Sequence, residues 1–473
     1  MTDTASALAR LTDRLGPAAV LTGAEAMAPY AFDWRGIEES HPLAVLRPAA
    51  TEQVADCVAL CAQAGLALIP QGGNTGLVGG TVARRGQPAV LLNLGRMDRI
   101  RDVDALDFTL VAEAGCTLAA VQAAAEAVDR LFPLSLGSEG TCTLGGVLST
   151  NAGGILTIRY GNARDLVLGL EVVLADGRVW NGLRRLRKDN TGYDLKHLFL
   201  GAEGTLGVVT AASVKLFPRP RQVETAFAAV PDPDAAIDLL ARLRAAAGEA
   251  VTAFELLPRF AIDGAAAFLD RRFDPLAAPA PWYVLLELGG GMPGSALREA
   301  AEEALAEAAA AGTVLDATFA ETGERRRQLW AIREGLPEIG RTLGGVVHHD
   351  VSVPVSRIPA LIARGTAALE ALIPGVRPYP FGHAGDGNIH FNVGRPETMP
   401  GKDFLARAGE VTALVHGIVR ELGGSFSAEH GIGGRKAAEL AAHKDPVELD
   451  LMRRIKRTLD PDGLMNPGKV LPP

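Results

Sequence analysis

The chain has 473 residues, 48% of them hydrophobic and 22% charged, with a formal net charge of −8. That length is too great for one ordinary core, so two or three domains are expected, and the acidic balance leaves no basic field for nucleic acid or an anionic membrane. No uncharged apolar run of about 18 residues occurs, so an integral membrane protein is excluded as a reading. The four cysteines, Cys57, Cys61, Cys116 and Cys142, form no CxxC pair. The opening Met1-Thr-Asp-Thr-Ala-Ser6 lacks the basic and apolar stretches of a secretory signal, so a reducing, cytoplasmic setting is expected.

In chain order, residues 51–65 carry Val54, Cys57, Val58 and Cys61 at helical spacing, with Thr51 placed to cap the start and Gly65 to stop it. A short strand at 66–69 feeds a glycine loop. An alanine-rich helix at 118–130 leads into a second loop, and strands are predicted at 168–174 and 208–216. Phe217-Pro-Arg-Pro-Arg221 reads as an exit linker. Beyond it, strands alternate with long helices, such as a strand at 282–288 and a helix at 295–311, an α+β pattern. The last part is helical at about 404–422 and 452–459. These boundaries give a domain over 1–220, a second over 221–400 and a small C-terminal helical segment over 401–473 that docks back on the larger parts.

Pro70-Gln-Gly-Gly-Asn-Thr-Gly-Leu-Val-Gly-Gly80 holds five glycines in eleven residues, enough for the main chain to turn its amides onto an anion such as a pyrophosphate. It is neither a P-loop nor GxGxxG. Gly137-Ser-Glu-Gly-Thr-Cys-Thr-Leu-Gly-Gly146 with Ser149-Thr-Asn-Ala-Gly-Gly154, and Gly201-Ala-Glu-Gly-Thr-Leu-Gly207, repeat the device. Three such loops point to one extended ligand, and a dinucleotide is the natural candidate. Later, Phe381-Gly-His-Ala-Gly-Asp-Gly-Asn-Ile-His-Phe-Asn392 and Ser427-Ala-Glu-His-Gly431 gather three of the nine histidines beside a carboxylate. After the glycine turn the residues alternate, putting Asn388, His390 and Asn392 on one strand face and Ile389, Phe391 and Val393 on the other. His383, His390 and a carboxylate such as Glu429 would form a metal site with positions open to substrate.

Taken together, the first glycine loop, Thr143-Leu-Gly-Gly-Val-Leu-Ser-Thr-Asn-Ala-Gly-Gly154, Arg159-Tyr-Gly161, Lys188-Asp-Asn-Thr-Gly-Tyr-Asp-Leu195, the 201–207 loop, Gly382-His-Ala-Gly-Asp-Gly-Asn-Ile-His390 and Ala428-Glu-His-Gly431 give a pattern with a known counterpart. The chain resembles the FAD-dependent D-2-hydroxyacid dehydrogenases of the vanillyl-alcohol-oxidase superfamily, which include D-2-hydroxyglutarate and D-lactate dehydrogenases. The resemblance implies an α+β fold. Its parts would be a two-subdomain PCMH-type FAD-binding domain, an α+β substrate (cap) domain and a C-terminal helical segment. It further implies FAD contacts at Pro70, Gln71, Gly72, Gly73, Asn74, Thr75, Gly76, Gly79, Gly80, Gly137, Ser138, Thr143, Gly145, Gly146, Asn151, Gly153, Gly154, Tyr160, Gly161, Glu203, Gly204, Gly207, Val208 and Asn466.

By the same resemblance, His383, His390 and Glu429 hold a divalent ion, zinc first with manganese or cobalt also fitting. His430 is then the general base, and Arg333 and Asn392 contact the substrate. The first loop has no histidine or cysteine to tether a flavin, so non-covalent FAD is expected. The sequence departs from the D-2-hydroxyglutarate pattern at His348, where a lysine commonly grips the distal carboxylate, and at Pro337, where some members carry threonine. The expected reaction is oxidation of a D-2-hydroxy acid, D-2-hydroxyglutarate first, to the 2-oxo acid. Electrons would pass to an electron-transfer flavoprotein or a quinone, and the protein would be a homodimer. Oxidation of D-lactate or glycolate is the alternative. Remoter ones are a zinc hydrolase and a flavin-bearing subunit without turnover of its own.

Overall fold

Residues 4–265, 274–291, 294 and 296–472 are described by a computed structural model of the chain. Two compact units result, the first made of Met1–Gly153, Gly161–Arg219 and Glu429–Pro473, the second of Gly154–Tyr160 and Pro220–Ala428. Residues 401–428 thus lie in the second unit, and the chain re-enters the first at Glu429.

In the first unit, the helix Thr51–Ala64 buries Val54, Cys57, Val58 and Cys61 against Leu68, Val90 and Leu92, and Gly65 ends it at φ 65°. Its cap differs from the expectation. Ala50 occupies the N-cap with no side-chain bond, because the Thr51 hydroxyl donates to the buried carboxylate of Glu171 at 2.6 Å instead. A buried carboxylate left short of donors costs more than a missing cap, so the long-range bond wins. Val45–Leu46, Ala89–Asn93 and Ala67–Gln71 form a parallel sheet edged by antiparallel Val20–Leu21. An antiparallel sheet of five follows the order Ile100–Asp104, Thr109–Glu113, Val208–Lys215, Val167–Val173, Val179–Gly182. The expected linker at 217–221 starts as structure, since Phe217–Pro218 pairs with Arg130–Leu131.

The second unit is built on an antiparallel sheet. Its order is Asp316–Phe319, Gln222–Val230, Trp282–Gly290, Val251–Pro258, Arg377–His383, Asn388–Gly394 and Val346–Val347, with Asp350–Ser352 also pairing Asn388–Gly394. The long helix expected at 295–311 is Ala296–Ala310, and Ser295 lies outside the described residues. The helix expected at 404–422 is broken into Gly401–Ala406 and Ala408–Glu421 by Arg407. Alternation in Asn388–Gly394 is as read. Ile389, Phe391 and Val393 are fully buried in a core with Leu361, Val411 and Val415, so the other face carries Asn388, His390 and Asn392.

Candidate functional site

The three glycine loops converge within the first unit. A Cβ placed on Gly72 would lie 2.3 Å from Thr143 Oγ1, and one on Gly73 would lie 2.0 Å from the Thr141 carbonyl, so the first two loops touch main chain to main chain. A Cβ on Gly204, whose φ is +71°, would meet Pro70 at 2.9 Å. Asn466 ties the first loop to the third, its amide donating to the carbonyls of Gly80 at 3.0 Å and Glu203 at 2.7 Å. Asn74, Asn151, Glu203 and Asn466 all take positive φ, which lets consecutive peptide groups turn to one side.

The remaining expected contacts fall on these loops or beside them. Gln71 ends the Ala67–Gln71 strand, Thr75, Gly76 and Gly79 continue the first loop, and Gly137 and Ser138 lie in the second. Gly145 and Gly146 start the helix Leu144–Thr150, which Asn151 closes, Gly153 and Gly161 border the 154–160 segment, and Gly207 and Val208 open the strand Val208–Lys215. Gly154 and Tyr160 belong to the second unit. Two buried polar atoms of the cradle, Thr143 Oγ1 and Asn466 Oδ1, have no hydrogen-bond partner among the described residues. Orphaned polar atoms at converging loops fit a polar ligand such as a dinucleotide.

Glu203 has a different part. Its two carboxylate oxygens accept from the main-chain amides of Ile432 at 2.7 Å and Gly433 at 2.8 Å, anchoring the segment that carries Glu429 and His430. Burial raises its pKa, with the two amides acting against that. Within this segment His430 Nε2 lies 3.9 Å from Glu429 Oε1.

In the second unit, sheet register assembles the histidines. Glu255 is opposite His383, Asp350 is opposite His390, and Phe381 is opposite His390. The rings of His383 and His390 stand edge to face with centroids 5.5 Å apart. His383 donates from Nδ1 to Glu255 Oε1 at 2.6 Å, and Arg333 donates from Nε to Glu255 Oε2 at 2.6 Å. Arg333 comes from the helix Gly323–Glu334, is only 8% exposed and covers the Phe381 ring at 5.0 Å. Burial works to raise the Glu255 pKa, but the charges of His383 and Arg333 with their hydrogen bonds prevail and hold it at about 2. His390 Nδ1 is 3.9 Å from Asp350 Oδ1, whose carboxylate also accepts from Asn388 Nδ2 and from the amide of Ala428. Asn392 is buried and accepts from Nδ1 of the exposed His348 at 3.2 Å.

Glu255 and Asp350 were not among the residues singled out from sequence. A signal existed for Glu255, the one charge in the strand Val251–Pro258, every residue of which is buried. Asp350 follows His348 and His349, of which the sequence points to His348 alone. His349, between His348 and Asp350, is buried and bonds the Phe391 carbonyl and Thr412, a packing role.

Residues 219–470 match the family described as FAD linked oxidases, C-terminal domain, and residues 42–182 match the FAD binding domain. The chain is 39% identical to the mitochondrial D-2-hydroxyglutarate dehydrogenase of Bos taurus, over 97% of this chain and 82% of that protein. It is 37% identical to D-2-hydroxyglutarate dehydrogenase of Xanthomonas citri pv. viticola, over 93% of this chain and 92% of that one. Among solved structures, p-cresol methylhydroxylase with substrate bound superposes with TM-score 0.76 at 17% identity, covering 99% of this chain and 97% of that one. Alkyldihydroxyacetonephosphate synthase gives 0.74 at 18% identity, covering 98% and 85%. These likenesses establish a PCMH-type fold.

Proposed function

The chain belongs to the FAD-linked oxidase family that holds the D-2-hydroxyglutarate dehydrogenases, and from that premise we propose that it oxidises D-2-hydroxyglutarate to 2-oxoglutarate using dissociable FAD and a divalent metal ion, zinc first. The observation that carries the substrate class is Arg333, a guanidinium buried beside the His383 imidazole, where a planar fork suits a carboxylate. The metal is supported by the donor set. In the second unit His390 Nδ1 stands 3.9 Å from Asp350 Oδ1, beyond hydrogen-bond length, an imidazole–carboxylate pair of the kind that suits a divalent ion, and in the first unit the Glu429 carboxylate stands 3.9 Å from His430. The amide of Ala428 is held by the Asp350 carboxylate, and Glu429 is the next residue. By the family resemblance His383, His390 and Glu429 would be the ligands, and Asp350 is a carboxylate beside His390 within the second unit.

When bound, the flavin would accept the two electrons and the metal would lower the pKa of the substrate hydroxyl. The chain's own groups then have defined tasks. Arg333 holds the substrate's 1-carboxylate, Asn392 orients it, and His430 takes the hydroxyl proton. His348 would meet the distal carboxylate of a dicarboxylate substrate. Because an exposed histidine stands there in place of the lysine of the resembled family, a single-carboxylate acid such as D-lactate is the second reading. Four buried thiols with no disulfide suit a reducing compartment such as the cytoplasm. Among the described residues no helix is long and apolar enough to cross a membrane. The acceptor, an electron-transfer flavoprotein or quinone, and a homodimeric state come from the family resemblance.

The test is anaerobic mixing of the flavin-loaded protein with D- and L-2-hydroxy acids while the oxidised flavin band is followed. D-2-hydroxyglutarate should bleach it fastest, a chelator should slow the bleaching, and acid precipitation should leave the yellow colour in the supernatant. Bleaching by no 2-hydroxy acid would sink the proposal.

A further inference from the structure

We infer that Glu255 is a positioning residue that fixes the His383 imidazole and the Arg333 guanidinium in one relation, so that a single buried carboxylate sets both the metal ligand and the carboxylate grip. The inference rests on the reading of the site given above. Glu255 is fully buried in a strand whose neighbours Phe254, Leu256 and Leu257 are all core residues. A carboxylate taken out of water in such a place costs several kcal/mol unless both oxygens are paired, about the amount that one lost partner restores as a penalty. Both are paired here, each with a donor at 2.6 Å, and the Glu255–His383 pairing is built into main-chain register.

The geometry determines what each partner can do. With Nδ1–H pointed at Glu255, His383 carries its lone pair on Nε2, the tautomer a metal ligand needs, and a carboxylate behind a ligating imidazole raises its donor strength. Arg333 gives Nε to the other oxygen, and its Nη2 lies 3.5 Å from His383 Nε2. With Nε engaged, Nη1 and Nη2 are the donors that would meet a substrate carboxylate. A carboxylate present only to fill the core would need no such link between two functional side chains.

Glu255→Gln and Glu255→Asp in the full, flavin-loaded chain test this. In Glu255→Gln the zinc affinity of chelator-stripped protein should fall about 10- to 100-fold, the range seen when a ligand's supporting partner is removed. At saturating zinc, KM for the hydroxy acid should rise about 10-fold or more while flavin content stays at one per chain. Glu255→Asp, keeping the charge on a shorter arm, should fall between. Unchanged zinc affinity and KM in a folded, flavin-loaded Glu255→Gln, with only thermal stability altered, would overturn the inference. Should that variant not fold, Glu255→Asp carries the same readouts. Nitrogen NMR of histidine-labelled wild-type protein, with His383 assigned by substitution, must then show the Nδ1–H tautomer, and the Nε2–H form would refute it. A wild type that binds no metal or oxidises no hydroxy acid would sink the functional reading itself, a result distinct from wild-type activity with silent Glu255 variants.

Discussion

The first unit is shaped to meet a ligand with main chain, the second with side chains. In the cradle of the first unit the decisive residues are those with no side chain, because Cβ atoms at Gly72 and Gly73 would collide with Thr143 and Thr141. In the second unit they are charged or imidazole groups: His383 and His390 are placed by sheet register, and the buried Glu255 carboxylate holds both His383 and the helix-borne Arg333. A backbone cradle is broken by bulk and indifferent to charge, whereas a side-chain constellation is broken by loss of one polar group and indifferent to the flavin.

The largest separation should come from His390→Ala. Turnover is expected to drop about 10²- to 10⁴-fold with metal content lost, while flavin content and its spectrum are unchanged. Gly73→Ala should do the reverse, weakening flavin retention by about 100-fold through roughly 3 kcal/mol of overpacking. Its control is Gly23→Ala, outside the loops, where a Cβ would meet nothing within 4 Å and flavin should be kept. Equal flavin loss in both would remove the steric argument.

Arg333→Lys keeps charge but loses the fork, and should raise KM about 10- to 100-fold with a smaller change in kcat. An effect confined to kcat would take Arg333 out of substrate binding. A milder contrast is set by pH. Glu113 and Glu171 of the first unit are buried carboxylates, and although burial pushes their pKa up, hydrogen bonds and charge from Arg99 and Arg101, with the Thr51 and Thr210 hydroxyls, hold them below the usual range. Their stabilisation is therefore complete above the unfolded value of about 4.3 and is lost as pH falls through the lowered folded values. Arg101→Met should flatten that acid limb in melts followed from pH 6 to 3. The smallest expectation is an absence of reaction. Burial pushes the Cys116 thiol up to about 11 and raises Cys57, Cys61 and Cys142, so none should be alkylated in the native protein at pH 8.

These contrasts also explain what could be read from sequence. The cradle was legible because glycines at 72, 73 and 204 announce close approach by their own identity, and the histidine strand because alternation over 388–393 fixes its faces. The supporting carboxylates were not, since Glu255 lies 128 residues from His383 and nothing local records which strands become neighbours. Thr51 failed as a cap for the same reason, its partner Glu171 being 120 residues away. Local chemistry predicts local structure, and the residues it missed are those whose partners are chosen by topology.

Asn466 joins loops that precede it by 386 and 263 residues, and Leu68 forms a parallel bridge with Met465. A nascent chain still on the ribosome holds all three glycine loops in the open before the residue that ties them has been made. A stop codon a few positions upstream of 466 would leave the cradle without its latch, and flavin retention is expected to fall with it.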